Sequence, residues 1–181
     1  MFKQLLADLK QFVEERNWLR YHSPRNMATT LCVEATELFE HFLPGAQLPK
    51  EDLRQELGDL LHCILLTMDA LNISPPETLP EHNCKTSPIG ELSIKLRSFM
   101  SHFLWLRDNE PYRGNLEELS SSLNDLLAIH FLLCKSLSLD PFEVTYEKLE
   151  LNRKKYPREL MKDSVDSYFE RKKALLKEQT N

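Results

Sequence analysis

The amino-acid sequence predicts an all-α fold, a single helical bundle, from three observations. Apolar residues recur at three- and four-residue steps through most of the chain, which is the spacing of amphipathic helices. Gly accounts for only 4 of the 181 residues, so the tight turns of a β-sandwich or barrel lack their usual material. Because 41% of the residues are hydrophobic, the chain can build one sizeable core. We therefore expect a single domain over residues 1–181.

Three helices are expected in the first part of the chain. Proline fits the first turn of a helix because the amide that it lacks would have no helical partner there, whereas Pro-Gly after an apolar stripe ends a helix. These signals predict helices from Phe2 to near Tyr21, from Ser23-Pro24 to Pro44-Gly45, and from Pro49 to just before Pro75-Pro76.

A second set of helices follows a proline-rich connection. Residues 74–89 hold four of the ten prolines, which predicts an extended surface segment. A turn at 108–111 is expected between the next two apolar stripes. The helices expected in this part cover 92–106, 116–137, Asp140-Pro141 to Tyr156-Pro157 and, in a charged and partly exposed tail, 165–179.

Charge and glycine placement exclude several classes of function. The formal charge of -5 at pH 7 argues against a nucleic-acid scaffold, which normally shows a basic face. The four glycines form neither GxGxxG nor GxxxxGK[ST], which excludes a Rossmann dinucleotide site and a P-loop. The cysteines form no CxxC pair, so neither a zinc site nor a disulfide framework is indicated. No segment resembles a signal peptide or a membrane span of roughly 20 apolar residues, and we expect a cytoplasmic protein.

Two pairs of carboxylates stand at matching positions on the second and third predicted helices. Glu34 and Glu37 form an ExxE motif, and Glu56 and Asp59 form an ExxD motif. At about 100° per residue, the members of each pair lie about 300° and 240° from the leucine three positions before the pair. Each pair therefore flanks the apolar stripe of its helix. If the two stripes pack together, the four acids meet at one edge of the seam.

Four neighbouring carboxylates are a candidate metal site. Each negative charge raises the free energy of ionising the others, and a divalent cation removes that cost. Oxygen ligands suit Mg²⁺ or Mn²⁺, which keep coordination positions for water and phosphate. The alternative is that all four acids are solvated residues on helix surfaces. The matched phase of the two pairs favours a metal site formed by Glu34, Glu37, Glu56 and Asp59.

Three further segments match a known family. They are Glu15-Arg16-Asn17-Trp18, His22-Ser23-Pro24-Arg25-Asn26, and Glu147-Lys148 followed by Asn152-Arg153-Lys154-Lys155-Tyr156-Pro157. Together with ExxE and ExxD, this order of motifs resembles the all-α nucleotide pyrophosphohydrolases of the MazG type, especially the dCTP pyrophosphatase branch. The resemblance covers roughly residues 5–72 and 137–160.

The resemblance implies Mg²⁺-dependent hydrolysis of a nucleoside triphosphate, with dCTP among the candidates, to a monophosphate and pyrophosphate. The four carboxylates would hold the metal ions. Which of them orients the attacking water is left open, with Glu37 as the candidate. Lys148, Arg153 and Lys155 would bring positive charge to the phosphates in the absence of a glycine-rich loop. The residues that the resemblance assigns to the substrate are Trp18, His22, Arg25, Asn26, Lys148, Asn152, Arg153, Lys155 and Tyr156.

Each of these substrate residues also has a purely structural interpretation. Trp18 can be a core anchor, and His22 can be a turn histidine with satisfied hydrogen bonds. Arg25 and Asn26 can order the start of the second helix. The basic run 152–155 can be a solvated helix end that the helix dipole stabilises.

Three positions depart from the pattern of the dCTP pyrophosphatase branch. The aromatic residue expected after the ExxE helix is replaced by Leu43-Pro44, the tyrosine expected four residues after the aspartate is Cys63, and the histidine expected in the first helix is Leu9. In the resembling enzymes these positions belong to the base pocket. We therefore expect the metal and phosphate groups to be kept, while dUTP, other dNTPs and damaged nucleotides are equally open as substrates.

The later helices repeat the phase of the earlier ones without their acids. The aligned strings are Leu31-x-x-Glu34-x-x-Glu37 with Leu92-x-x-Lys95-x-x-Ser98, and Leu53-x-x-Glu56-x-x-Asp59 with Leu119-x-x-Ser122-x-x-Asp125. We interpret 90–137 as a degenerate, metal-free copy of 1–72. Residues 138–160 would then close the phosphate side, and 161–181 would form the charged tail.

On this interpretation the chain is a pseudo-dimer with one active site, and a homodimer of such chains is a further option. The second hairpin would take the place of the partner subunit that completes the site in short family members. The alternative is that any two amphipathic hairpins align this well.

Two other functions are compatible with the sequence. A bundle whose second half has lost its ligands can bind a nucleotide or a protein partner without catalysis. Glu56, Asp59 and His62 share one helical face, as in a carboxylate-bridged di-iron bundle. That fold normally needs ExxH twice, and no second ExxH with helical support occurs in the sequence.

Overall fold

A computed structural model of the chain describes residues 1–107 and 110–161, together with 170, 171, 173 and 174. Within these ranges the structure contains six α-helices and no strand, which confirms the all-α class. The predicted turn at 108–111 and the predicted tail helix over 165–179 lie wholly or partly outside the described residues. The helices are α1 (Phe2–Glu14), α2 (Pro24–Glu40), α3 (Lys50–Ala70), α4 (Pro88–Ser101), α5 (Leu116–Ser136) and α6 (Pro141–Lys155).

The end of α1 differs from the sequence prediction. The helix ends at Glu14 rather than near Tyr21, because Asn17 adopts a left-handed conformation with φ of 58°. The amide of Trp18 donates to the carbonyl of Val13 at 2.9 Å, which is the closing bond of a Schellman motif. A single 3-10 turn, Leu19–Tyr21, then leads towards α2.

Three helices begin with proline in the first turn and a side-chain cap before it. The hydroxyl of Ser23 accepts from the amide of Asn26 at the start of α2, and that of Ser87 does the same for Gly90 in α4. The carboxylate of Asp140 accepts from two amides at the start of α6. These caps satisfy amides that have no helical partner and fix where each helix begins.

Helix α3 lies at the centre of the bundle. It packs against α1, α2, α5 and α6, and every residue from Leu60 to Met68 is buried. A helix that is apolar on all sides is stable only inside a core. Fully buried side chains on its neighbours include Leu5 and Leu9 of α1 and Leu31 and Leu38 of α2.

The connection between α3 and α4 is free of helix, as predicted, but part of it is buried. The side chain of His82 is only 10% exposed, and its Nδ1 lies 3.2 Å from a carboxylate oxygen of Asp125. Its Nε2 lies 3.7 Å from Glu91. The contacts of His82 therefore hold the connection against α4 and α5, so the connection does not lie only on the surface.

No single helix in the described part of the chain is long and apolar enough to cross a membrane. Among the described helices, α5 and α6 taken together reach such a length and composition, and the chain bends by 97° between them.

The cap of α6 provides a test of the fold. Replacing Asp140 by Ala leaves two helix amides without their acceptor, which costs about 1 kcal/mol and lowers the Tm by about 2–4 °C in a chain of this size. Asp140→Asn keeps an acceptor oxygen and is the matched control. Thermal unfolding followed by circular dichroism measures both variants, and an equal drop in the two would contradict a capping role.

Candidate functional site

Three carboxylates meet where α2 packs on α3. Glu34 projects from α2, and Glu56 and Asp59 project from α3 one turn apart, so that one oxygen from each lies within 4.8 Å of the others. All three side chains are partly buried. An oxygen-only set of this kind can hold a metal ion, and hard divalent cations favour such ligands.

The electrostatics of the cluster show the cost of bringing these acids together. Burial, followed by the negative charges of Asp59, Glu37 and Glu56, raises the pKa of Glu34 to about 8. Burial also raises the pKa of Glu56 to about 7, against the opposing charge of Lys148. At neutral pH the metal-free cluster therefore retains protons that a divalent cation would displace.

Glu56 provides a further sign that the residues fit a cation. Its Oε2 atom is buried and has no hydrogen-bond partner in the described part of the chain. A buried carboxylate oxygen without a partner is costly, because nothing replaces the hydration that it loses. Coordination of a metal ion would satisfy this oxygen.

Asp59 differs from the two glutamates because positive and polar groups surround it. Lys148 on α6 places its ammonium 2.6 Å from Oδ2 of Asp59, and Nδ1 of His62 lies 3.6 Å from Oδ1. Burial alone would raise the pKa of Asp59, but the neighbouring His62 and the charge of Lys148 outweigh burial and lower it. Asp59 is thus the carboxylate of the cluster that stays ionised.

Glu37 is at the edge of the cluster. It is exposed and lines the same cleft as the other three acids. Within the described residues, the group whose oxygens approach within 4.8 Å contains Glu34, Glu56 and Asp59 only. The structure thus brings three of the four predicted ligands together and leaves the fourth at the rim.

Two adjoining cavities meet at the carboxylates. The first is a cleft of about 550 Å³ with a polar lining. The second is a pocket of about 540 Å³ whose walls are mostly apolar, formed by α1, α2 and α3. The residues that line both are Trp18, Thr29, Thr30, Glu34, Asp59 and Asn152. A ligand that fills both would place a charged end at the acids and an apolar end in the pocket.

Trp18 forms part of both cavities and is also packed into the protein. Its ring stands edge-on to Phe12 at 5.7 Å and to Tyr156 at 5.4 Å between centroids. Tyr156 is buried, and its carbonyl accepts from Nε of Arg16 at 2.7 Å. Trp18 therefore combines the structural and the pocket-lining roles that the sequence allowed.

His22 and Asn26 line the apolar pocket. Burial lowers the pKa of His22, which keeps its ring neutral at physiological pH. The side-chain amide of Asn26 donates to the carbonyl of Tyr21 at 3.1 Å. Asn26 thus orders the start of α2 and contributes to the pocket wall at the same time.

The remaining residues that were predicted to contact the substrate separate into two groups. Lys148, Asn152 and Lys155 line the cleft. Arg153 forms an ion pair with Glu150, and neither Arg153 nor the exposed Arg25 lines the cleft or the pocket. The structure therefore does not bring these two arginines to the carboxylates.

Several lining residues were not identified from the sequence. Gln55 lines the cleft, and its Oε1 lies 3.5 Å from the ammonium of Lys148. Thr29 and Thr30 line both cavities. Thr30 precedes Glu34 by four residues, so its shared helix face was a usable signal. Gln55 carries no charge and belongs to no repeated motif, so no sequence pattern marked it as a site residue.

An ion pair joins Lys95 on α4 to Asp125 on α5, two positions that the sequence aligns with Glu34 and Asp59. Nζ of Lys95 lies 2.6 Å from Oδ2 of Asp125, and Asp125 also contacts His82. Among the described residues, the group that could hold a metal ion consists of Glu34, Glu56 and Asp59, and Asp125 does not belong to it.

The geometry does not favour the di-iron interpretation. Nε2 of His62 lies 3.1 Å from the carbonyl oxygen of Thr145, and a carbonyl only accepts, so this nitrogen carries a proton and donates. The described group of potential ligands contains no histidine.

No family model, curated protein or solved structure matches the chain in the comparisons with known proteins.

Gly58 lies between the acids of α3, where α6 approaches most closely. A Cβ atom at this position would lie 2.6 Å from Cβ of Lys148 and 2.8 Å from the carbonyl oxygen of Val144. We expect Gly58→Ala to force α6 away from α3, at a cost of about 1–3 kcal/mol in the free energy of unfolding. Chemical denaturation measures this cost. Gly90→Ala in α4 is the control, because the nearest atom is the rotatable hydroxyl of Thr86 at 3.1 Å, and a similar loss there would contradict the close-packing argument.

The raised pKa of Glu34 predicts a pH dependence of stability. Its pKa of about 8 in the folded chain exceeds the ordinary 4.5, so folding favours the protonated acid. The contribution of protonated Glu34 to the free energy of unfolding is complete below pH 4.5 and is lost as the pH rises through 8. In metal-free protein, Glu34→Gln should therefore have a higher Tm than the unsubstituted chain at pH 8. Glu40→Gln, which replaces an exposed acid on the same helix, is the control. If the Tm of Glu34→Gln changes between pH 5 and pH 8 as much as that of the unsubstituted chain, the raised pKa is refuted.

Proposed function

We propose that the chain is a Mg²⁺-dependent nucleoside triphosphate pyrophosphohydrolase, with Mn²⁺ as a second suitable ion. The observation that carries this proposal is the triad of Glu34, Glu56 and Asp59 at a cleft that shares its walls with an apolar pocket. A nucleotide has a polyanionic end for such a cleft and an aromatic base for such a pocket. The resemblance of the motifs to the MazG type supports the same activity.

In the proposed reaction, water adds to the α-phosphorus and the bond between this phosphorus and the α-β bridging oxygen breaks. The products are a nucleoside monophosphate and pyrophosphate, and the proton of the water passes to a carboxylate. Glu37 is the candidate acceptor, since it lines the cleft but lies outside the triad. When bound, the metal ion supplies positive charge that neutralises the phosphates and lowers the pKa of the attacking water.

Positive groups on α6 would hold the phosphates. Lys148 and Lys155 belong to α6 and line the cleft. Lys148 contacts Asp59, and an ammonium in this position can pair with a phosphate oxygen as well as a carboxylate. Asn152 adds an amide donor at the boundary between the cleft and the pocket.

The base would occupy the apolar pocket. Trp18 offers an aromatic face there, and stacking on such a ring is tolerant of base identity. Leu9 and Cys63, two of the positions that depart from the dCTP pyrophosphatase pattern, line this pocket. Their placement supports a base preference different from that pattern, among dCTP, dUTP, other dNTPs and damaged nucleotides.

We also propose that the second hairpin is a degenerate copy of the first. Helices α2 and α4 share a Ser-Pro start with the serine as cap. Helices α3 and α5 both have 21 residues, and both are followed by a left-handed residue, Asn72 or Ser138. Lys95 pairs with Asp125, so a fixed ammonium would replace the cation of the first hairpin.

Release of pyrophosphate and monophosphate from each dNTP and NTP tests the function. We expect release with Mg²⁺ that a chelator abolishes. Glu37→Ala should lower kcat at least about 100-fold, as for loss of a general base. Asp125→Asn should leave kcat unchanged, because Asp125 belongs to the second hairpin.

The outcomes distinguish the candidate functions. Equal losses in Glu37→Ala and Asp125→Asn would contradict a single active site in the first hairpin. Nucleotide binding without turnover, in folded protein, would support the non-catalytic binding bundle instead.

A further inference from the structure

His130 is a buried ionisable residue to which the proposed reaction gives no role. It lies on α5 in the second hairpin, and it is 0% exposed. An imidazole is costly to bury unless its polar atoms find partners. The contact that it makes therefore indicates why a histidine occupies this position.

The ring donates one hydrogen bond across the bundle. Nε2 of His130 lies 2.9 Å from the backbone carbonyl oxygen of Leu57 on α3. A carbonyl only accepts, so Nε2 carries the proton and the ring donates it to Leu57. Burial lowers the pKa of His130 to about 4, which keeps the ring neutral. Nε2 also lies 3.7 Å from Sγ of Cys134 on the same helix, and Nδ1 is buried without a partner among the described residues. The bond to Leu57 is therefore the hydrogen bond that joins the ring to another helix.

The accepting carbonyl belongs to the turn that carries the metal ligands. Leu57 directly follows Glu56 and precedes Asp59 by two residues. In an α-helix this carbonyl already accepts from the amide four residues later. The bond from His130 is therefore additional to the helix and links the helix to α5.

The same turn is also contacted by α6. Gly58 allows the backbone of α3 to approach Lys148 and Val144 closely. Together with this contact, the bond from His130 ties the turn to two neighbouring helices and limits its rotation. Ligand positions matter because Mg²⁺ tolerates little departure from octahedral geometry, and metal sites function only when their ligands are held within about 0.5 Å.

We propose that His130 is a positioning residue through which the second hairpin fixes the ligand-bearing turn of α3. This inference rests on the metal site of the proposed function, but not on the identity of the nucleotide or on the reaction. The second hairpin would thus contribute to the metal site by positioning its ligands, although it supplies no ligand itself.

The test measures Mn²⁺ affinity by electron paramagnetic resonance in the full chain. His130→Leu removes the donor and keeps an apolar side chain, and Leu57 retains its helical bond. We expect the Kd for Mn²⁺ to rise by about tenfold, the low end of the losses caused by removing groups that orient metal ligands. His130→Gln can donate from an amide in place of Nε2 and should restore most of the affinity.

A stability control separates positioning from general damage. Leu119 is also fully buried on α5, about 16 Å along the helix from His130. Leu119→Ala should lower the Tm but leave the Kd for Mn²⁺ unchanged.

Three outcomes would overturn the inference. An unchanged Kd in His130→Leu, or the same rise in Leu119→Ala or in His130→Gln, would show that the bond does not position the ligands. Failure of the unsubstituted chain to bind Mn²⁺ would remove the metal site itself, and with it both the proposed function and this inference. Mn²⁺ binding without pyrophosphate release would overturn the proposed function alone.

Discussion

The close approach of three carboxylates at the seam between α2 and α3 is the constraint on which the rest of the site depends. Burial and mutual repulsion raise the pKa of Glu34 to about 8 and that of Glu56 to about 7. The bundle partly compensates through Lys148, which contacts Asp59 from α6. One ammonium leaves two acids uncompensated, so the metal-free cluster keeps protons that a divalent cation would replace.

The central position of α3 explains how such an unfavourable cluster is held in place. Its buried surface packs on four helices, and this apolar contact supplies the stability that the acids reduce. Two of its neighbours contact the ligand-bearing turn directly, α6 at Gly58 and α5 through His130. The apolar pocket forms where α1 ends and Trp18 turns back onto Phe12. Core packing and site geometry are therefore set by the same helix.

Much of the fold follows from local sequence signals. The starts of α2 and α6 agree with prediction, because Ser23-Pro24 and Asp140-Pro141 combine a cap with a proline in the first turn. The predicted end of α1 was wrong by about two helical turns. A single left-handed residue, Asn17, ends this helix, and the apolar spacing continues past it through Trp18 and Leu19. Periodicity reports which side chains are apolar, whereas the helix end depends on one backbone angle.

Helical spacing alone predicts that Glu34, Glu56 and Asp59 lie beside the apolar stripes of neighbouring helices, because i, i+3 spacing fixes a helix face. Tertiary packing determines that Glu37 stays at the rim and that Arg153 pairs with Glu150 instead of lining the cleft. It also decided that His130 meets the carbonyl of Leu57, 73 residues away in sequence. These outcomes depend on the rotation and separation of packed helices, which arise from contacts distant in sequence and leave no local pattern.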